Sequence, residues 1–164
     1  ICISFKESEK YFPKKKTIYT GNPRSEEILL MEKGKREDFG FNYKSNFIIL
    51  VMGSLGSLTM TKKMKELIPA FKDKNYQVLV VTGKNYYDDY KEVKTPVNVK
   101  IVPFYDAKYM KDANLLITRS GASTIAEVTA LLLPSIMRPS PYVTHNHQYK
   151  NAKALEDKKA CKIL

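Results

Sequence analysis

The sequence predicts an α/β domain, a Rossmann-like parallel sheet with helices on both faces. Two observations predict it. The strand candidates, such as FIILVM at 47–52 and VLVV at 78–81, are continuous apolar runs and not strict alternations. Strands of that kind are buried on both faces, as in a parallel sheet covered by helices. These runs also alternate with longer segments of helical spacing, the order of repeated strand–helix units.

Taken in order, strands are expected at Thr17–Thr20, Phe47–Met52, Gln77–Thr82, Val99–Phe104, Leu115–Thr118 and Ser135–Arg138. Helices are expected at Thr61–Lys72, Asp106–Lys111, Thr124–Leu132 and Asn146–Asp157. The polar stretch Lys33–Asn46 carries Gly34 and Gly40 and is read as a helix end and a loop. No internal repeat interrupts the pattern. The segment at Ile1 reads as a short apolar strand already in progress, and Leu164 closes another apolar run, ACKIL. With Ile1 where an initiator Met would stand, both ends are expected to continue into a longer chain.

Composition narrows the class. A chain of 164 residues, 43% hydrophobic and 27% charged, is sized for one globular domain. No apolar run approaches the roughly 18–20 residues that cross a bilayer. The N-terminus, ICISFKESEKYF, lacks the pattern of a secretory signal. A cytosolic or membrane-surface protein is therefore expected. Cys2 and Cys161 lie at opposite ends without metal-ligand spacing and are read as reduced thiols. The net charge of +11 is spread evenly, +6 on residues 1–82 and +5 on residues 83–164, with Lys14-Lys15-Lys16 as the one tight run. There is no strand of stacking aromatics and no basic recognition helix, so nucleic acid is not the expected partner. A solvated basic surface remains open, and so does attraction to anionic lipid head groups or phosphate-bearing substrates.

In doubly wound folds ligands bind beyond the carboxyl ends of the strands, so the loops after the strands are where chemistry is sought. Gly53-Ser54-Leu55-Gly56-Ser57 follows FIILVM and precedes a helix; it is either a phosphate-binding turn or a tight strand-to-helix connection. It is neither G-x-G-x-x-G nor a Walker sequence. Arg119-Ser120-Gly121-Ala122-Ser123-Thr124 repeats the arrangement after LLIT. There, Thr124 and Glu127 have the spacing of a capping box, so Glu127 is either a helix cap or a carboxylate that holds a ribose. The stretch 139–152, PSPYVTHNHQYKNA, concentrates hydroxyl, amide and imidazole groups suited to sugar hydroxyls. His145 and His147 are two apart with no third ligand nearby, so a metal site is not expected. Gly21-Asn22-Pro23-Arg24 marks a turn whose arginine either faces a phosphate or lies on the surface of a connection. No nucleophile elbow or Cys–His signature is present.

Together these stretches resemble the MurG family, the UDP-N-acetylglucosamine:undecaprenyl-diphospho-muramoyl-pentapeptide transferases. The resemblance lies in GNPR at 21–24, ILVMGSLGS at 49–57, VTGKNY at 81–86, ITRSGASTIAEVTALLLPSI at 117–136 and PSPYVTHNHQYKNAKALED at 139–157. It implies the C-terminal half of a GT-B glycosyltransferase, which binds UDP-GlcNAc, with residues 21–164 as that domain, truncated at its C-terminus. Residues 1–20 are then the end of the N-terminal domain and the interdomain connection. It implies that Arg24 and Ser54 contact the donor, that the Tyr105 backbone reads uracil and that Ala122, Ser123 and Thr124 line the diphosphate and sugar. Glu127 is then the ribose carboxylate, and His147 and Gln148 contact GlcNAc. Met52 stands where the family often has the first glycine of its loop, and His147 where it often has Gln.

The resemblance further implies inverting transfer of GlcNAc to the lipid-linked muramoyl-pentapeptide in peptidoglycan synthesis, without metal or cofactor. Arg24 and the helix dipoles then stabilise the leaving diphosphate. The catalytic base and the acceptor site are expected in the N-terminal domain, so this chain alone is expected to be inactive. The full-length protein is expected at the cytoplasmic face of the bacterial membrane, held peripherally on its anionic surface. Two alternatives stay open: the donor domain of another UDP-sugar enzyme, and a non-catalytic nucleotide-sugar-binding subunit.

Overall fold

A computed structural model describes residues 1–51 and 58–164. Strands β3 (Asn46–Val51), β4 (Tyr76–Val81), β5 (Val99–Val102), β6 (Leu115–Thr118), β7 (Ser135–Met137) and β8 (Lys162–Ile163) form one parallel sheet in the order β5-β4-β3-β6-β7-β8. The chain starts at the centre with β3, builds outward through β4 and β5, returns to β6 beside β3, and builds outward again. The order therefore reverses between β3 and β6, which is the doubly wound Rossmann arrangement. Strands β1 (Cys2–Ile3) and β2 (Ile18–Tyr19) pair in parallel as a separate two-stranded sheet.

Alternation along the central strands explains the unbroken apolar runs. Phe47 and Ile49 of β3, with Leu79 and Val81 of β4, face one core, which Ile125 and Val128 complete. Leu50 faces the opposite core with Val78 and Val80, where Met64 and Ile68 cover it. The central runs 47–51 and 78–81 are thus apolar at successive positions because both faces are covered.

The helices are α1 (Arg24–Leu30), α2 (Leu58–Leu67), α3 (Ala122–Ala130) and α4 (His147–Glu156). Several boundaries differ from the sequence expectation for local reasons. The expected Thr61–Lys72 helix is α2 followed by a 3₁₀ turn at Ile68–Phe71. Pro69 has no N–H to donate and cannot continue an α-helix. The expected Asp106–Lys111 helix is a 3₁₀ turn at Ala107–Asp112, started by the Asp106 side chain accepting from the Lys108 N–H. Strand β5 stops at Val102, just before Pro103. Helix α1 was not expected. It buries Ile28 completely while Leu29 and Leu30 stay exposed, so it shows no apolar stripe. Burial of that one side chain contributes about 1.5–3 kcal/mol. Ser25 Oγ donates to the Ala126 carbonyl at 3.3 Å, which sets α1 on α3.

The polar stretch 33–46 holds a 3₁₀ turn at Arg36–Phe39 and is anchored, not a free loop. Arg36 is buried, with Nε on Asp112 Oδ2 at 2.9 Å and Nη2 on the Asp112 carbonyl at 2.7 Å. Gly34 is required by close approach, since a Cβ there would lie 2.5 Å from the Tyr109 ring.

Candidate functional site

The carboxyl ends of β3, β4, β5 and β6 open on one cleft of about 490 Å³ at the point where the strand order reverses. Val51, Val81, Gly83 and Phe104 wall one side, and Arg119, Gly121, Ser123 and Thr124 the other. Arg24, Tyr105, Glu127 and Gln148 reach it as well. The fold thus brings together six residues singled out from the sequence: Arg24, Tyr105, Ser123, Thr124, Glu127 and Gln148. Ser54 and its glycine loop lie outside the described residues.

Helix α3 presents its N-terminus to this cleft. Its N-cap is Gly121, with no side-chain cap. Ile125 N–H bonds to the Gly121 carbonyl, whereas the N–H groups of Ala122, Ser123 and Thr124 have no partner among the described residues. Unpaired donors at the positive end of a helix suit an anion. Gly121 has an ordinary φ of −66°, and a Cβ added there would meet nothing within 4 Å. Neither backbone strain nor packing among the described residues requires glycine at this position. Gly83, in contrast, holds φ 80° and ψ 150°, a conformation open essentially to glycine alone.

Glu127 is the buried carboxylate of the cleft, 8% exposed. The capping-box reading is corrected here. The helix starts at Ala122, two residues before the expected start, so Thr124 is inside it and Glu127 is beyond the first turn. Glu127 Oε1 instead accepts from Arg24 Nε at 2.6 Å, while Oε2 has no partner among the described residues. Arg24 also donates through Nη1 to Glu27 at 2.9 Å. Hydrogen bonds to Glu127 first and Glu27 second raise the Arg24 pKa, so it is a fixed cation. Its charge is directed at two carboxylates, not outward to a phosphate.

Tyr105 follows β5 at the cleft, and its phenol is pushed up well above the usual range by burial, with Glu127 adding and Arg24 opposing. It stays neutral at any physiological pH. Its backbone N–H and C=O have no partner among the described residues, so they are available to a ligand.

Two expected residues fall outside the cleft. The Ala122 side chain faces a neighbouring groove between α3 and α4, leaving only its backbone N–H for the cleft. His147 is exposed, and its Nδ1 is 2.9 Å from the Thr144 carbonyl. Its ring is turned to its own loop because the chain passes through left-handed conformations at His145 and Asn146 just before α4. Gln148, one residue on, lies at the cleft and accepts the Ser140 N–H on Oε1 at 2.8 Å.

One residue was not singled out and belongs with these. Arg119 lines the cleft, half-buried, and forms no ion pair with a carboxylate among the described residues. Burial first, and the charge of Arg138 second, lower its pKa. Its one hydrogen bond among the described residues is a long 3.5 Å bond to the Arg138 carbonyl. The signal was its place beside Gly121 in the loop after β6.

Comparisons with known proteins agree with this fold. Residues 47–164 match the glycosyltransferase family 28 C-terminal domain. The chain is 40% identical over 172 aligned residues to the UDP-N-acetylglucosamine--N-acetylmuramyl-(pentapeptide) pyrophosphoryl-undecaprenol N-acetylglucosamine transferase of Bacillus cytotoxicus, covering 100% of this chain and 47% of that protein. The transferase of the same name from Halalkalibacterium halodurans is 40% identical over 170 residues, covering 98% and 46%. The chain thus spans about half the length of the curated relatives it matches. Among solved structures, Acinetobacter baumannii MurG superposes with a TM-score of 0.64 at 29% identity, over 84% of this chain and 41% of that one. The glycosyltransferase of kitacinnamycin shares the fold at a TM-score of 0.68 and 16% identity, over 94% and 38%. With its doubly wound sheet and its match over residues 47–164, the chain belongs to glycosyltransferase family 28 and carries that family's C-terminal domain.

Proposed function

We propose that this chain is the donor-binding domain of the enzyme that moves GlcNAc from UDP-GlcNAc to the lipid-linked muramoyl-pentapeptide of peptidoglycan. The observation that carries this reading is the pairing of Glu127 with the open N-terminus of α3 in one cleft. One carboxylate oxygen is held by Arg24. Among the described residues the other has no partner, and neither do the three helix N–H groups that lie beside it and Arg119. That is a layout for the two hydroxyls of a ribose and the diphosphate next to it. The base then lies toward Tyr105, whose free backbone groups suit the edge of uracil. The sugar lies toward Gln148. The names of the relatives supply the donor and acceptor.

In the reaction the acceptor hydroxyl oxygen bonds to the anomeric carbon of GlcNAc from the face opposite the diphosphate. The bond from that carbon to the diphosphate oxygen breaks, and the configuration inverts. UDP leaves with the bonding electrons, and the hydroxyl proton goes to a base supplied by the N-terminal domain. This chain's own part is to stabilise the charge growing on UDP through the α3 N–H groups and Arg119. On this reading residues 1–20 are the end of that N-terminal domain and the interdomain connection. The basic surface, net +11, favours the anionic cytoplasmic face of the membrane in the full-length protein. Titration calorimetry of this chain tests the reading. Heat of binding with UDP and UDP-GlcNAc is expected, unaltered by EDTA, with no transfer of GlcNAc by the chain alone. No binding of UDP at millimolar concentration overturns it.

A further inference from the structure

Ser120 sits between the cleft-facing Arg119 and the N-cap Gly121, and it is fully buried. A buried hydroxyl needs partners, and the hydroxyl and the carbonyl of Ser120 both find theirs on α4. Its Oγ donates to the Gln148 carbonyl at 2.7 Å, and its own carbonyl accepts from Asn151 Nδ2 at 3.1 Å. Gln148 is held a further time through its side chain, whose oxygen accepts from Ser140. The loops after β6 and β7 are thus tied to the first turn of α4.

These bonds decide what Gln148 offers a ligand. A side-chain amide has one acceptor oxygen and two N–H donors. Its oxygen is committed to Ser140, while Nε2 donates to nothing among the described residues. The cleft therefore receives donors from Gln148, which suit the oxygens of sugar hydroxyls. The entry to α4 does not hold this pose by its own preference. His145 and Asn146 are both left-handed, at φ 54° and 52°, a region non-glycine residues keep only under tertiary restraint.

We propose that Ser120 is a positioning residue: through the Gln148 carbonyl and the Asn151 amide it fixes the first turn of α4 so that Gln148 meets the sugar of the donor with N–H groups. This rests on the reading of the cleft as a UDP-sugar site. The test measures affinities for UDP and for UDP-GlcNAc, with melting temperatures, in the wild-type chain and in Ser120→Ala and Asn151→Ala. UDP affinity is expected to stay within about twofold, while the preference for UDP-GlcNAc over UDP falls about fivefold or more, roughly 1 kcal/mol. A merely structural role predicts a lower melting temperature with both ligands weakened alike, and that result overturns the proposal, as does an unchanged preference. If Ser120→Ala does not fold, Asn151→Ala decides on the same ratio. Failure of the wild type to bind either ligand overturns the reading of the cleft and this proposal with it. Wild-type binding with an unchanged ratio in the variants removes only the role of Ser120.

Discussion

Replacing Glu127 with Gln separates the structural from the ligand-binding work of this carboxylate. Its Oε1 accepts from Arg24 at 2.6 Å, with the Glu127 side chain 11% exposed and that of Arg24 29%. Removing one partner of a fully buried ion pair costs about 3–5 kcal/mol. Here Arg24 is partly solvated and keeps Glu27, and Gln keeps an oxygen for the Nε bond. The expected cost to stability is therefore about 1 kcal/mol, the scale of one hydrogen bond. For a domain of this size that is a shift of about 2–4 °C. The effect on UDP is larger in consequence. With its single oxygen on Arg24, Gln turns an amide NH₂ to the ribose in place of a charged oxygen. Hydrogen bonds to a charged group contribute about 1.5–3 kcal/mol, part of which the NH₂ regains by donating to a hydroxyl oxygen. The net expectation is a tenfold loss of UDP affinity, about 1.4 kcal/mol. Calorimetry with UDP and 2′-deoxy-UDP reads it directly: the wild type distinguishes the two ligands and the variant does not. Unchanged UDP affinity in a folded Glu127→Gln variant would refute the ribose role and leave only the tie to α1.

Four further outcomes follow from the structure. Gly121→Ala is expected to fold with stability within about 1 kcal/mol of wild type, since φ is ordinary and the added Cβ meets no atom. Its UDP affinity is expected to fall at least tenfold on the order of a blocked approach, and equal binding in calorimetry would show that the space is not the ligand's. Arg119→Gln is expected to weaken UDP about tenfold and leave uridine unaffected, with the difference shrinking as salt rises; parallel losses for UDP and uridine would contradict a phosphate role. Asp112 is governed by burial, which alone raises its pKa, but hydrogen bonds from Arg36 and Lys33 together outweigh burial and hold it below the usual range. A carboxyl lowered by folding contributes stability above its unfolded pKa of about 3.9, and that contribution is lost as pH falls further through the folded value. Acid unfolding below about pH 4 is thus expected to be less steep in Asp112→Asn than in wild type. Asp112→Ala strands the buried Arg36 and is expected to cost about 3–5 kcal/mol, read by denaturant titration.

The sheet was legible because its information is local. Apolar runs such as Phe47–Val51 mark strands whose two faces are both covered, and the strand–helix order then limits the topology to a few doubly wound arrangements. Helix α1 was not legible because a single side chain, Ile28, supplies its burial, and one residue makes no periodicity. The anchored stretch 33–46 was not legible either. Its ordering comes from Asp112, which lies 76 residues from Arg36 along the chain. Strand β2 is shorter than the expected Thr17–Thr20 because β1, the strand it pairs with, has only two residues.

The candidate site divides along the same line. The fold rule located the loops, so residues that line the cleft at the carboxyl ends of the strands could be singled out from the sequence. Roles that depend on pairs across the sequence were not. Thr124 and Glu127 matched a capping box by spacing, but a cap requires the helix to begin at Thr124. The buried partner that Glu127 has instead is Arg24, 103 residues away. That pairing also changes the electrostatics of the cleft. Arg24 alone reads as a cation for a phosphate, yet one guanidinium held by two carboxylates leaves that corner with excess negative charge. A diphosphate placed there is repelled, while neutral ribose hydroxyls are accepted. Positive potential is left at the other end of the cleft, where Arg119 faces the uncapped turn of α3. Under the proposed reading this charge pattern orients a nucleotide along the cleft, with ribose at Glu127 and diphosphate at Arg119, before any contact with the base or the sugar is made.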